Sequence, residues 1–347
     1  MKYLILLLLS FSTFAAPFSI DEAWGPLSDP TIMSVNFENR LGLLPMEGAV
    51  KSPQKFWSGD YWPMSKGNIN YRWYADRGFK IPSPNKETAL KLSQDELSQL
   101  SPAEKFDLLN GRYDYPLKAE VKKLTDYDAK GWEGICHGWA PATMNHNEPV
   151  AKTVRNPDGI SIPFGSADIK AIISYYYAYI YVVPNTRQIG RRCDSNVMGN
   201  VDCKQDLNAG AFHIILTNRI ALQNKGFVAD MDRFKQVWNH PILAYTSRVK
   251  SEGGPKRSSA PGTVRTVKFS TTIEYGDESI NSWDPLIGTR QQRTKKQEVN
   301  YIVELNSEGV IIGGEWTSIQ RPDFLWTMDA PQSFSPSYAR LPELLND

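Results

Sequence analysis

An α+β fold with an antiparallel sheet is the architecture the sequence predicts, on two observations. Helix starts and helical spacing gather in the first half of the chain, whereas alternating strands and turns dominate after Gly210. Ser101-Pro102-Ala103-Glu104 reads as a helix start, with Ser101 as N-cap, Pro102 in the first turn and Glu104 closing a capping box. Leu108 and Leu109 continue that helix, and Asn110-Gly111 stops it. A second helix starts at Ser166 with Asp168 in its first turn. Ile169, Ile172, Ile173, Tyr176 and Ile180 follow at helical spacing until Pro184.

In the second half, 211–217 and 226–231 read as two strands joined by a turn around Asn224. A flexible connection follows at 250–262. Strands are expected at 264–275 and 299–305, with a turn at Ser307-Glu308-Gly309 leading into 310–314. The aromatic segment from Trp57 to Pro63 is expected as an ordered loop, and no internal repeat is visible.

The chain has 347 residues, with 39 Lys and Arg against 38 Asp and Glu, a balance that argues against nucleic acid as the main partner. Its first residues combine Lys2, the apolar run Leu4 to Leu9 and Ala15-Ala16, the pattern of a signal peptide over residues 1–16. That run is too short to span a bilayer, so a secreted or periplasmic protein without a membrane span is expected. Residues 17–340 then form one catalytic domain, with catalytic segments at about 126–250 and a C-terminal β segment at about 263–330. Three cysteines occur. Cys193 and Cys203 share a short polar stretch and are expected to form a disulfide, leaving Cys136 as the odd thiol.

Cys136 lies in Gly131-Trp132-Glu133-Gly134-Ile135-Cys136-His137-Gly138-Trp139-Ala140-Pro141. The glycines permit a tight path and Pro141 suits a helix start, so the thiol is expected at a helix N-terminus, where thiolate is favoured. The backbone N–H of Cys136 would serve an oxyanion, with the Trp132 indole as one choice of second donor. Trp132 and Trp139 could also wall a channel to the thiol, or simply pack the helix.

A nucleophilic thiol calls for a base, and the chain holds four histidines. His137 is adjacent to Cys136, and neighbouring helical side chains diverge by about 100°. His213 sits in an apolar run after Ala209-Gly210-Ala211, where an unpartnered imidazole would cost on the order of 1–3 kcal/mol. Pairing it with Cys136 accounts for both residues. A third group should orient the ring: Asp230 by its closeness to the apolar strand, with Asp232 and Asn239 as alternatives.

The chain resembles the transglutaminase elicitor family. The matching blocks are Trp57-Ser58-Gly59-Asp60-Tyr61-Trp62-Pro63, Ser101-Pro102-Ala103-Glu104-Lys105, Cys136-His137-Gly138-Trp139-Ala140-Pro141-Ala142 and Asn208-Ala209-Gly210-Ala211-Phe212-His213. Val237-Trp238-Asn239-His240-Pro241, Gly313-Gly314-Glu315-Trp316 and Arg321-Pro322-Asp323-Phe324-Leu325-Trp326 complete the set. The family usually carries Gln where this chain has His240. The resemblance implies a papain-like or transglutaminase-like core, its cysteine-bearing helix packed on an antiparallel sheet, with N-terminal helical and C-terminal β additions. It also implies a Cys136-His213-acid arrangement that joins a protein glutamine to lysine or another primary amine through a thioester.

Calcium dependence is implied as well, although the chemistry itself needs no cofactor and no EF-hand loop occurs. The same residues would serve a secreted cysteine peptidase or a glutamine deamidase, because the outcome rests on pocket shape and water exclusion. A cell-surface elicitor or binding protein without turnover is the reading from another class.

Overall fold

The computed structural model describes residues 24–346 apart from residues 26, 53, 182–185, 193–205 and 233–235. The expected signal segment, the Cys193–Cys203 pair and Pro184 lie outside the described residues. Among them, no helix is long and apolar enough to cross a membrane.

Short helices come first: α1 (Lys86–Ala89), α2 (Gln94–Ser98), α3 (Pro102–Leu109) and α4 (Pro116–Leu124). Then follow α5 (Cys136–Asn145), the hairpin of β2 (Lys152–Arg155) and β3 (Ser161–Phe164), and α6 (Ser166–Tyr175), which runs on as a π-helical turn to Ile180. The capping box expected at Ser101 is present, with Ser101 Oγ accepting from Glu104 N and Glu104 Oε2 accepting from Ser101 N at 3.0 Å. For α6 the cap is Gly165, one residue before the expected Ser166, because the Asp168 carboxylate accepts from Gly165 N at 2.8 Å. A buried ion pair, Lys105 Nζ to Asp168 Oδ2 at 2.6 Å, ties α3 to α6.

The large sheet is antiparallel. Its order is β4 (Thr186–Gly190), β10 (Phe324–Met328), β5 (Phe227–Asp230), β6 (Asn239–Gly253), β7 (Arg265–Gly276), β8 (Thr294–Leu305) and β9 (Ile311–Trp316), with β1 (Glu47–Ala49) also paired to β6. The expected strands of the second half are thus found, with one exception. Residues 209–216 form a helix, α7, capped by Asn208 Oδ1, which accepts from Gly210 N at 2.8 Å. An eight-residue run that is apolar throughout suits a buried helix as well as a strand, so periodicity could not separate them. The small residues before it do permit a close approach, but of α7 itself to β9: a Cβ on Gly210 would lie 2.3 Å from the Gly313 carbonyl oxygen.

Strand alternation sorts the two faces of the sheet. Val228, Phe324, Trp326 and Met328 join a core with α3, α5 and α6, whereas Phe227, Ala229 and Leu325 join a second core with α7. Helices α5 and α7 therefore pack on opposite faces. Gly138 lets α5 meet α6 closely, since a Cβ there would lie 2.0 Å from the Ser174 carbonyl oxygen.

Candidate active site

Cys136 is the first residue of α5, with Ile135 as its cap. In a first turn the backbone N–H groups have no intrahelical acceptor, so that of Cys136 is placed to serve a nearby anion. The entrance to the helix is fixed by the loop Trp57 to Pro63: Ile135 N donates to Tyr61 O at 2.6 Å, and Met64 N to Glu133 O at 2.9 Å. Gly134 is required here, because a Cβ would fall 2.4 Å from the Tyr61 carbonyl oxygen. The ordered loop expected at 57–63 is thus the support of the Cys136 segment.

The thiol has two hydrogen-bonding neighbours. Asn239 Nδ2 donates toward Sγ at 3.6 Å, and Sγ lies 3.9 Å from Val237 O. Asn239 is held in turn by the Trp326 indole, whose Nε1 donates to Asn239 Oδ1 at 2.8 Å. Asp230 stands opposite Asn239 in the β5–β6 register. Its Oδ1 accepts from Trp238 N at 2.9 Å and Asp232 N at 3.2 Å, while buried Oδ2 has no hydrogen-bond donor. The Tyr61 and Trp238 rings meet edge to face at 5.6 Å. Cys136 is only 5% exposed.

Burial sets the electrostatics. It pushes the Cys136 thiol up to about 11, although Asn239 hydrogen bonds pull the other way and the charges of Glu278 and Asp230 add to the rise. The expected gain of thiolate at the helix N-terminus is outweighed. Burial also pushes the Asp230 carboxyl up to about 8, against the N–H groups of Trp238 and Asp232. A cavity of about 290 Å³ lies between Gln188, Asn239, Trp326 and Met328 of the sheet and His137 and Tyr177 of the helical layer. It has room for an unbranched side chain.

The structure does not bring His213 to Cys136. His213 lies in α7 on the far face of the sheet, where Nδ1 is 2.8 Å from Tyr301 Oη and the ring packs on Phe269. Asp230, Asp232 and Asn239 are likewise not its partners; Asp232 is half-buried past the end of β5. Burial holds the His213 imidazole down to about 3, so it is a neutral core residue. Its ordinary value of 6.5 applies once the chain unfolds, so the unfolded chain binds the extra proton between pH 6.5 and about 3. Stability is then lost as pH falls through that window. We expect His213→Leu to lose less stability than the wild type between pH 7 and pH 4.5 in urea titrations, and equal losses would refute the assignment.

The other histidines are also engaged away from the sulfur. His146 Nε2 is 3.0 Å from Tyr177 Oη, His240 Nδ1 is 2.9 Å from Gly276 O, and the His137 ring meets that of Tyr179 at 5.8 Å. Trp139 donates its indole N–H to Trp57 O at 3.3 Å, so it is part of the packing. Trp132 is half-buried in the preceding loop, and Asn239 brings the side-chain N–H to the sulfur instead. Asn239 was one of three expected orienting groups; its partner is the thiol. Trp326 went unrecognised because only the strand order brings it to Asn239.

Calcium was tested against the side chains present. It takes six to eight oxygen ligands. Among the described residues, the group of three close ligating side chains is His240, Asp277 and Glu278, and its nitrogen donor does not suit that ion.

Comparison with known proteins accords with this geometry. The chain matches the transglutaminase elicitor family model over residues 118–339. Among solved structures it is similar to the GP42 transglutaminase from Phytophthora sojae, at 22% identity and a TM-score of 0.68, covering 93% of this chain and 96% of that one. No curated protein matches. The family match spans more than half of the sequence and includes Cys136, Asp230, Asn239 and Trp326, so the chain belongs to the transglutaminase elicitor family.

Proposed function

We propose that the protein transfers the acyl group of a glutamine side chain to a primary amine through a thioester on Cys136. The observation that carries this reading is the thiol at the start of a buried helix, 3.6 Å from an Asn239 amide that Trp326 holds in place. Asp230 accepts the thiol proton once ionised. Sγ then bonds to the γ-carbon, and the carbonyl oxygen takes negative charge that the Cys136 N–H and Asn239 Nδ2 would stabilise. The C–N bond breaks as Asp230 returns the proton to the leaving ammonia. A lysine or other amine attacks the thioester, Asp230 takes its proton, and the isopeptide product leaves with Sγ reprotonated. The burial of the thiol favours an amine over water by limiting solvent access. A secreted or periplasmic location, with cell-surface proteins as substrates, completes the proposal.

The test uses a glutamine-bearing protein and a labelled primary amine. Label incorporation supports the reading, ammonia without label indicates deamidation, and shortened chains indicate proteolysis. A binding protein without turnover is favoured by one observation, the burial of the thiol. It predicts none of the three products. Because Asp230 ionises near pH 8, the rate should climb between pH 7 and pH 9. Asp230→Asn should lower it by about 10²–10⁴-fold. A near-normal rate in that folded variant would remove Asp230 from the mechanism.

A further inference from the structure

The side chains of His240, Asp277 and Glu278 place one ligating atom each within 4.8 Å of one another, at the meeting point of β6 and the end of β7. We propose that they form a binding site for a divalent cation of the manganese, cobalt or zinc class.

Three observations build the site. The first is spacing: metal–ligand distances of about 2.0–2.3 Å need ligand atoms within roughly 4.5 Å of one another, and here the three lie within 4.8 Å, close enough for small side-chain adjustments to bring them together. The second is the lock on the imidazole. His240 Nδ1 is 2.9 Å from the Gly276 carbonyl oxygen, so Nδ1 carries the hydrogen and Nε2 keeps the lone pair. Metal-binding histidines are usually oriented by such a bond from the other ring nitrogen. The third is unspent acceptor capacity. Asp277 is 6% exposed, and Glu278 Oε1 has no hydrogen-bond donor.

One cation already approaches. Lys295 Nζ lies 3.0 Å from Asp277 Oδ1, but its side chain is 58% exposed and leaves the opposing carboxylate and the imidazole unserved. A dication could accept lone pairs from both acidic side chains and from the imidazole together, which a second lysine could not. The donor set decides the class of ion. One nitrogen and two carboxylates, with open positions for water, suit a borderline divalent metal better than calcium.

The test is direct binding, independent of acyl transfer. Purified wild-type protein, stripped with chelator, is titrated with Mn²⁺ and followed by electron paramagnetic resonance of the free ion, with thermal unfolding as a second readout. One saturable Mn²⁺ per chain and a rise in Tm with metal concentration are expected. His240→Gln, close in size and able to keep a hydrogen bond to the Gly276 carbonyl, should fold normally and weaken binding at least about 10-fold, as should Asp277→Asn. No saturable binding, or binding that survives both substitutions unchanged, would overturn the proposal. Calcium binding as tightly as Mn²⁺ at these residues would overturn the assigned class.

Discussion

Cys136→Ala is expected to abolish label incorporation, lowering turnover by at least about 10⁴-fold, while Tm stays within a few degrees of the wild type. The sulfur makes only a 3.6 Å contact with an amide and a 3.9 Å contact with a carbonyl, so removing it costs little packing. Among the described residues, Cys136 is the one cysteine. The closed thiol sharpens the expectation. With its ordinary range raised to about 11, Cys136 should react slowly with iodoacetamide at pH 7 and faster at each step toward pH 10. Residual incorporation by the folded alanine variant above one part in a hundred would place the chemistry elsewhere.

The largest expected effect on stability lies in the helical layer. Asp168→Ala should destabilise the protein by about 3–5 kcal/mol, read as a fall in the urea midpoint. The Asp168 carboxylate accepts from Lys105 Nζ at 2.6 Å, Trp73 Nε1 at 2.8 Å and Gly165 N at 2.8 Å. Both charged side chains of the pair are fully buried. Without the carboxylate the Lys105 ammonium has no anion, and burial already pulls it below its usual range. The double variant Lys105→Met with Asp168→Leu should recover much of the loss, since it leaves no charge stranded. A loss below about 1 kcal/mol for Asp168→Ala would mean that water reaches the site.

How far the sequence was legible follows from the range of each signal. The Ser101 capping box is a four-residue rule, and it was found as read. So were the strands at 226–231, 264–275, 299–305 and 310–314, whose alternation repeats every two residues, whereas 239–253 and 324–328 were not expected as strands. The nucleophile's place at a helix start was legible from its glycines, because close approach at Gly134 and Gly138 excludes any side chain. His213 misled because a buried helix and a buried strand look alike over eight apolar residues. The face it occupies depends on the alternation of β5 and β10, which are separated by about a hundred residues. Asn239 was within reach of sequence reasoning as a polar group in an apolar setting. Its partner was not, since the contact spans 103 positions and needs α5 laid across β5 and β6. The thiol's reluctance to ionise was equally hidden, because the opposing effect of burial appears only once Tyr61, Val237 and Asn239 are in place.

Strand β10 has a consequence for how the protein comes into being. It lies between β4 and β5, hydrogen-bonded to both, and carries the Trp326 that holds Asn239. Those five residues are made about a hundred residues after β5. Until they are, β4 and β5 have no strand between them, and the amide beside the thiol has no indole to hold it. A nascent chain stalled before residue 324 therefore already has Cys136 and Asn239 but not the indole that holds the Asn239 amide.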